Sequence, residues 1–137
     1  MNNYKKVEKL LEDYAELDIN IKGIELDIKE EGLKGVSYSD MPGAPLPSNK
    51  SVVESGLNNI EKLKREKMIL EIKKEKIENM FRMLDDTEYN LIKYRYFDKL
   101  SFKEISYKLN LNDNFLLAKR NKIINKLVKY AIKYRLI

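Results

Sequence analysis

The sequence predicts an all-α fold: a long antiparallel, coiled-coil-like helical hairpin over residues 1–84, then a C-terminal three-helix domain over residues 85–137. Three observations predict it. Apolar residues recur at alternating spacings of three and four in two long segments, helix-start signals crowd the C-terminal part, and the 137 residues include only five Gly and three Pro. With 43% hydrophobic and 36% charged residues the chain is apolar enough to bury a core, and its length fits one domain or two very small ones.

The first helix follows from Val7, Leu10, Tyr14, Leu17, Ile21, Ile24 and Ile28, a heptad seam with Glu and Lys between its members, placing the helix at roughly residues 3 to 33. The segment "KGVSYSDMPGAPLPSNK", Lys34 to Lys50, gathers all three prolines, so no helix is expected through it. It reads as a connector; its apolar residues Val36, Tyr38, Met41, Ala44 and Leu46 also allow a docking element. A second seam carries Val53, Ile60, Leu63, Leu70, Ile77, Phe81 and Leu84, interrupted by Lys67 and Lys74, which are expected at its edge with their stems reaching water. Each helix has one narrow apolar stripe that it cannot bury alone, hence the hairpin.

At Leu84 the pattern changes. Asp85, Asp86 or Thr87 can cap a helix running to about Phe97. Ser101 and Glu104 form S-x-x-E, a capping box in which the Ser side chain accepts from the Glu104 amide and the Glu104 carboxylate reaches back to the Ser101 amide. Ile105 and Leu109 share a face of this short helix, Ser106 is small enough for a close crossing, and Asn112 caps a third helix after a turn at Asn110 and Leu111. That order suits two helices crossing steeply. The third helix turns Leu116, Ile123, Ile124 and Leu127 inward, leaving Asn114, Ala118, Asn121, Lys122 and Asn125 outward with Phe115 and Lys119 at the margin.

The net charge of +5 is one-sided. From Asp85 onward six acids face twelve bases, an excess of +6, so the first 84 residues sum to −1. No acid follows Asp113, whereas Lys119, Arg120, Lys122, Lys126, Lys129, Lys133 and Arg135 do, a footprint suited to a polyanion or to a solvated helix face. Asn can address adenine bidentately, Lys can address guanine, and Phe or Ala can touch a thymine methyl, so a helix of this composition suits the major groove of double-stranded DNA. The candidate DNA-binding residues are Asn114, Phe115, Ala118, Lys119, Asn121, Lys122, Asn125 and Lys126, with Lys103 and Lys108 on the preceding helix.

Other classes find less support. The chain has no Cys and no His, which removes disulfides, thiolate metal sites, the commonest zinc ligand and the commonest general base. No Gly-rich phosphate loop is present, so neither an enzyme nor a cofactor or metal is expected. The charged start "MNNYKKVEKLLEDY" lacks the apolar core of a signal peptide, and no apolar run reaches the length of a membrane span; a cytoplasmic protein without a membrane partner is the expectation.

The segment from Thr87 to Leu127, through Arg95, Tyr96, Ser101, Glu104, Ile105, Leu109, Asn112 and Leu127, resembles region 4 of sigma-70-type factors. With a helical N-terminal part and the "SYSDMP" loop, the whole chain resembles phage and prophage transcriptional regulators of the ArpU type. The resemblance implies a helix-turn-helix regulator of phage late genes that binds promoter DNA and contacts RNA polymerase, or a second protomer in a homodimer, through its hairpin. Leu117 and Ala118 stand where that family has small polar and basic residues, and Arg120 where an apolar one is usual. The alternatives are a helical protein-interaction module and a small-terminase-like DNA-packaging component.

Overall fold

The computed structural model describes residues 1–39 and 50–137, with side chains for residues 1–34 and 58–137. Among the described residues all regular structure is helical. Helix α1 spans Asn3–Ser39, α2 Lys50–Phe81, α3 Asp86–Ile92, α4 Phe102–Leu109 and α5 Asp113–Lys133; α3 continues into a π-helical turn, Lys93–Phe97. Helix α1 therefore runs past its expected end near residue 33. Lys34 to Ser39 contains Gly35 but no Pro, and one glycine costs a helix only about 1 kcal/mol, too little to stop a long cooperative one. The choice between connector and docking element for the Pro-bearing segment, with Met41, Ala44 and Leu46, lies outside the described residues, as do the side chains of Val36, Tyr38 and Val53.

Two compact units emerge, one of Met1–Leu17 with Lys73–Ile137, the other of Asp18–Ile72. Their boundaries differ from the division at residue 84 read in the sequence, because the first turns of α1 make their polar and aromatic contacts with C-terminal residues. In the first unit Tyr4 Oη donates to Asn121 Oδ1 at 2.5 Å and Tyr96 Oη to Glu8 Oε2 at 2.6 Å. Tyr14 meets Phe81 edge-on at 5.1 Å between ring centroids and Phe97 at 5.2 Å, and Phe81 meets Tyr89 at 5.6 Å. The buried residues of this unit include Val7, Leu10, Leu11, Leu17, Ile77, Met80, Leu91 and Ile92, and α5 contributes Leu116, Ile123, Ile124, Leu127 and Ala131. The four residues of α5 expected inward are thus all core.

Local chemistry fixes where these helices begin. Asp85 caps α3 in a reciprocal box: its carboxylate accepts from the Glu88 amide at 2.8 Å, and the Glu88 carboxylate accepts from the Asp85 amide at 3.0 Å. The box holds the Asp85 carboxyl below its ordinary range, chiefly through the Glu88 amide, with Lys119 nearby adding to the effect. Ser101 caps α4 by accepting from the Glu104 amide at 3.2 Å. The second half of that expected box differs: the Glu104 carboxylate accepts a hydrogen bond from the Ser101 hydroxyl, also at 3.2 Å, so the two side chains close on each other. Helix α4 ends on Asn110 in the left-handed region, φ 55°, a conformation Asn tolerates better than most residues. Asn112 then caps α5 by accepting from the Asn114 amide at 2.8 Å.

The second unit pairs parts of α1 and α2. Lys67 Nζ lies 3.2 Å from Glu25 Oε1 on α1 and 3.5 Å from Glu71 Oε1 on its own helix, which pulls the Glu25 carboxyl down and raises the Lys67 ammonium. This interrupting lysine therefore lies at the edge of the seam as an ion pair. The seam residues of this unit, Ile21, Ile24, Ile28, Ile60, Leu63 and Leu70, are only half-buried. Every buried apolar side chain among the described residues belongs to the first unit.

Candidate nucleic-acid interface

Helix α5 packs against α3 and α4, and its buried residues define which face remains free. At 100° per residue, the direction opposite Leu116, Ile123, Ile124, Leu127 and Ala131 is occupied by Asn114, Ala118, Lys122, Asn125 and Lys129, all exposed. Phe115 flanks them and is 51% exposed, a large value for a Phe without a partner surface. Lys119 Nζ lies over its ring, 5.7 Å from the centroid. Lys103 and Lys108 are exposed on α4, Lys108 reaching over the Tyr94 ring at 5.2 Å.

The turn between α4 and α5 is fastened from within. The Ser106 hydroxyl donates to the Leu111 carbonyl, and the Leu111 amide returns to the Ser106 carbonyl at 3.3 Å. Beyond being small, Ser106 therefore staples the corner between the two helices. Seven of the ten candidate residues, Asn114, Phe115, Ala118, Lys122, Asn125, Lys103 and Lys108, are exposed.

The other three are only partly exposed and have partners within the protein. Asn121 is half-buried, accepting from Tyr4 Oη and from Arg120 Nη2 at 3.4 Å, so it faces α1 rather than the open side. Lys126 Nζ pairs with Glu88 Oε1 at 3.5 Å, and the half-buried Lys119 lies near enough to Asp85 to lower its carboxyl pKa. Exposed residues beyond the candidates adjoin this surface. Lys129 continues the outward face one turn beyond Asn125, a spacing readable in the sequence, and Tyr107, 80% exposed, stands on α4 between Lys103 and Lys108.

Arg120, the oddity of an otherwise apolar register, turns inward. Its guanidinium lies 3.9 Å from Glu8 Oε2 and 5.0 Å from the centroid of Phe102, whose ring Arg95 also covers at 4.7 Å. Tyr4, Glu8, Tyr96, Arg120 and Asn121 thus form one polar cluster between α1 and α5. Burial, helped by the Glu8 carboxylate, pushes the Tyr96 phenol far above its ordinary value, and burial also raises Tyr4.

No helix of the described residues is long and apolar enough to cross a membrane, and no group of three acidic, His or Cys side chains among them could hold a metal ion. Fold and surface together define a helical protein with a polar, cation-bearing helix face. The chain belongs to the DUF722 family, described as a protein of unknown function, whose model matches residues 3–129. No curated protein and no solved structure matches the chain.

Proposed function

We infer that the protein is a DNA-binding transcriptional regulator of phage late genes. Helices α4 and α5 serve as a helix-turn-helix of the sigma region 4 kind, with α5 reading promoter DNA in the major groove. Helices α1 and α2, as an antiparallel hairpin, contact RNA polymerase or a second protomer. The observation that carries this reading is the outward face of α5, where Asn114, Ala118, Lys122 and Asn125 stand exposed in one line. From Asn114 to Asn125 this line is about 16 Å long, three turns of helix, and the major groove, about 12 Å wide, admits a helix. The resemblance of Thr87 to Leu127 to sigma region 4 supplies the promoter and polymerase parts.

Charge gives the test. Lys103, Lys108, Lys129, Lys133 and Arg135 are exposed, and if these five meet phosphates, log K for duplex DNA should fall against log salt with a slope of about −4 to −5. Gel shifts of the full chain on genomic fragments at several salt concentrations measure it. A slope near zero removes the reading.

A further inference from the structure

The second compact unit carries, besides its inner seam, an unpartnered apolar stripe on the outer side of each helix. On α1 these are Ile19, Leu26 and Leu33, spaced by seven, and on α2 Met68, Ile69 and Ile72; each is about half exposed or more. At 100° per residue both stripes lie opposite the half-buried seam of their own helix, so one hairpin cannot cover them. With no fully buried side chain of its own among the described residues, this unit lacks a core that would explain its apolar content.

We propose that the occupant of each stripe is a second copy of this chain, packed head to tail: the outer face of α1 in one copy against the outer face of α2 in the next, the two helices antiparallel. Charge complementarity selects this pairing. Seen from the stripe, Lys22 and Lys29 flank α1 on one side and Gly23 and Glu30 on the other; on α2, Glu61 and Met68 take the first side and Lys62 and Ile69 the second. In an antiparallel contact like sides meet, so Lys29 faces Glu61 and Glu30 faces Lys62 of the next copy. A parallel α1–α2 contact would set Lys22 and Lys29 against Lys62.

Shape agrees. Nothing lies within 4 Å of the position a Cβ on Gly23 would take, so the space between Ile19 and Leu26 is open to a knob. Within the unit Glu25 stands opposite Lys67, which puts Gly23 and Ile69 at one height on opposite flanks. A neighbour at the same height therefore brings Ile69 to Gly23, Ile72 to Ile19 and Arg65 to Leu26. Because donor and acceptor faces differ, the contact is heterologous and repeats into a closed ring or a filament. It holds whether or not α5 reads DNA.

Sedimentation of the full chain tests it. The unsubstituted protein should sediment as an assembly larger than a monomer. Leu26→Glu and Ile69→Glu, each alone, should disperse it to monomers, with circular dichroism and melting temperature near those of the parent once its assembly is diluted apart. Mixed in equal amounts, the two variants should form a one-to-one pair, since Leu26→Glu keeps an intact α2 face and Ile69→Glu an intact α1 face. If either variant misfolds, Glu30→Lys and Lys62→Glu replace them: each alone should weaken assembly and the double variant restore it. A monomeric parent, assembly that survives either apolar substitution, or variants that stay monomeric when mixed would each overturn the proposal. Dispersal by Leu26→Glu alone would point instead to α1 pairing with α1.

Discussion

A guanidinium held at 17% side-chain exposure, within 3.9 Å of Glu8 and with its Nε buried without a hydrogen-bond partner among the described residues, is costly unless its neighbours compensate. Here the compensation comes from the Glu8 carboxylate, the Phe102 ring and the Asn121 amide oxygen, and Tyr96 in turn supports Glu8. Tyr96→Phe should therefore cost about 1.5–3 kcal/mol, the scale of a hydrogen bond to a charged group, measured by urea unfolding at neutral pH. Burial of Tyr96, together with this bond, has a pH signature. The folded state raises the Tyr96 pKa above its ordinary value of 10.0, so it favours the neutral phenol. That contribution is complete below about pH 10 and fades as pH rises further, so the parent should lose stability more steeply there than Tyr96→Phe. Part of this was legible: Arg120 in the register of Leu116, Ile123 and Leu127 is an anomaly in the sequence. Its partner Glu8 was not, because nothing local links the first turns of α1 to α5.

Helix starts at Ser101 and Asn112 were readable, and that of α3 to within Asp85, Asp86 or Thr87, because a cap involves residues two or three positions apart and little else. Ser101→Ala and Asn112→Ala should each lower stability by about 1 kcal/mol in thermal or urea melts, and Asn110→Ala by a similar amount, since alanine lacks the polar side chain that eases the left-handed conformation. The Asp85 box adds an acid-side effect. Its folded pKa is depressed, so its support for α3 is present above the ordinary value of 3.8 and disappears as pH falls through the lower folded value. In Asp85→Asn that part of the acid dependence should vanish, as circular dichroism melts below pH 4 would show. The far end of α1 was less legible: clustered prolines suggested a stop at Lys34, but a proline disfavours helix at and just before its own position, and the nearest is Pro42. The π-helical turn at Lys93–Phe97 leaves no mark in spacing, because the apolar pattern of Leu91, Ile92 and Tyr96 suits an ordinary helix equally well.

Across the whole chain, apolar periodicity revealed both long helices but not which of their turns belong together. The seam through Val7, Leu10, Leu17 and Ile24 is continuous in sequence, yet its first members are buried in the unit that contains α5 and its later ones are half-buried in the other. Periodicity reports a face; it does not report what covers that face. The same limit explains why Asn121 looked like a groove residue, since a polar side chain on a helix flank has no sequence mark distinguishing an outside partner from an inside one such as Tyr4. This division gives the central functional claim its control. The full chain is titrated onto a duplex selected from a random library and onto an unselected duplex, at one salt concentration, for the parent, Asn114→Ala, Lys122→Ala and Lys133→Ala. Asn114→Ala and Lys122→Ala should each cost about 1–3 kcal/mol on the selected duplex and much less on the other, because a lost base contact removes discrimination. Lys133→Ala, at the end of α5, should weaken both about equally. If Asn114→Ala and Lys122→Ala instead lower both affinities by the same factor, α5 does not read bases and the central claim fails.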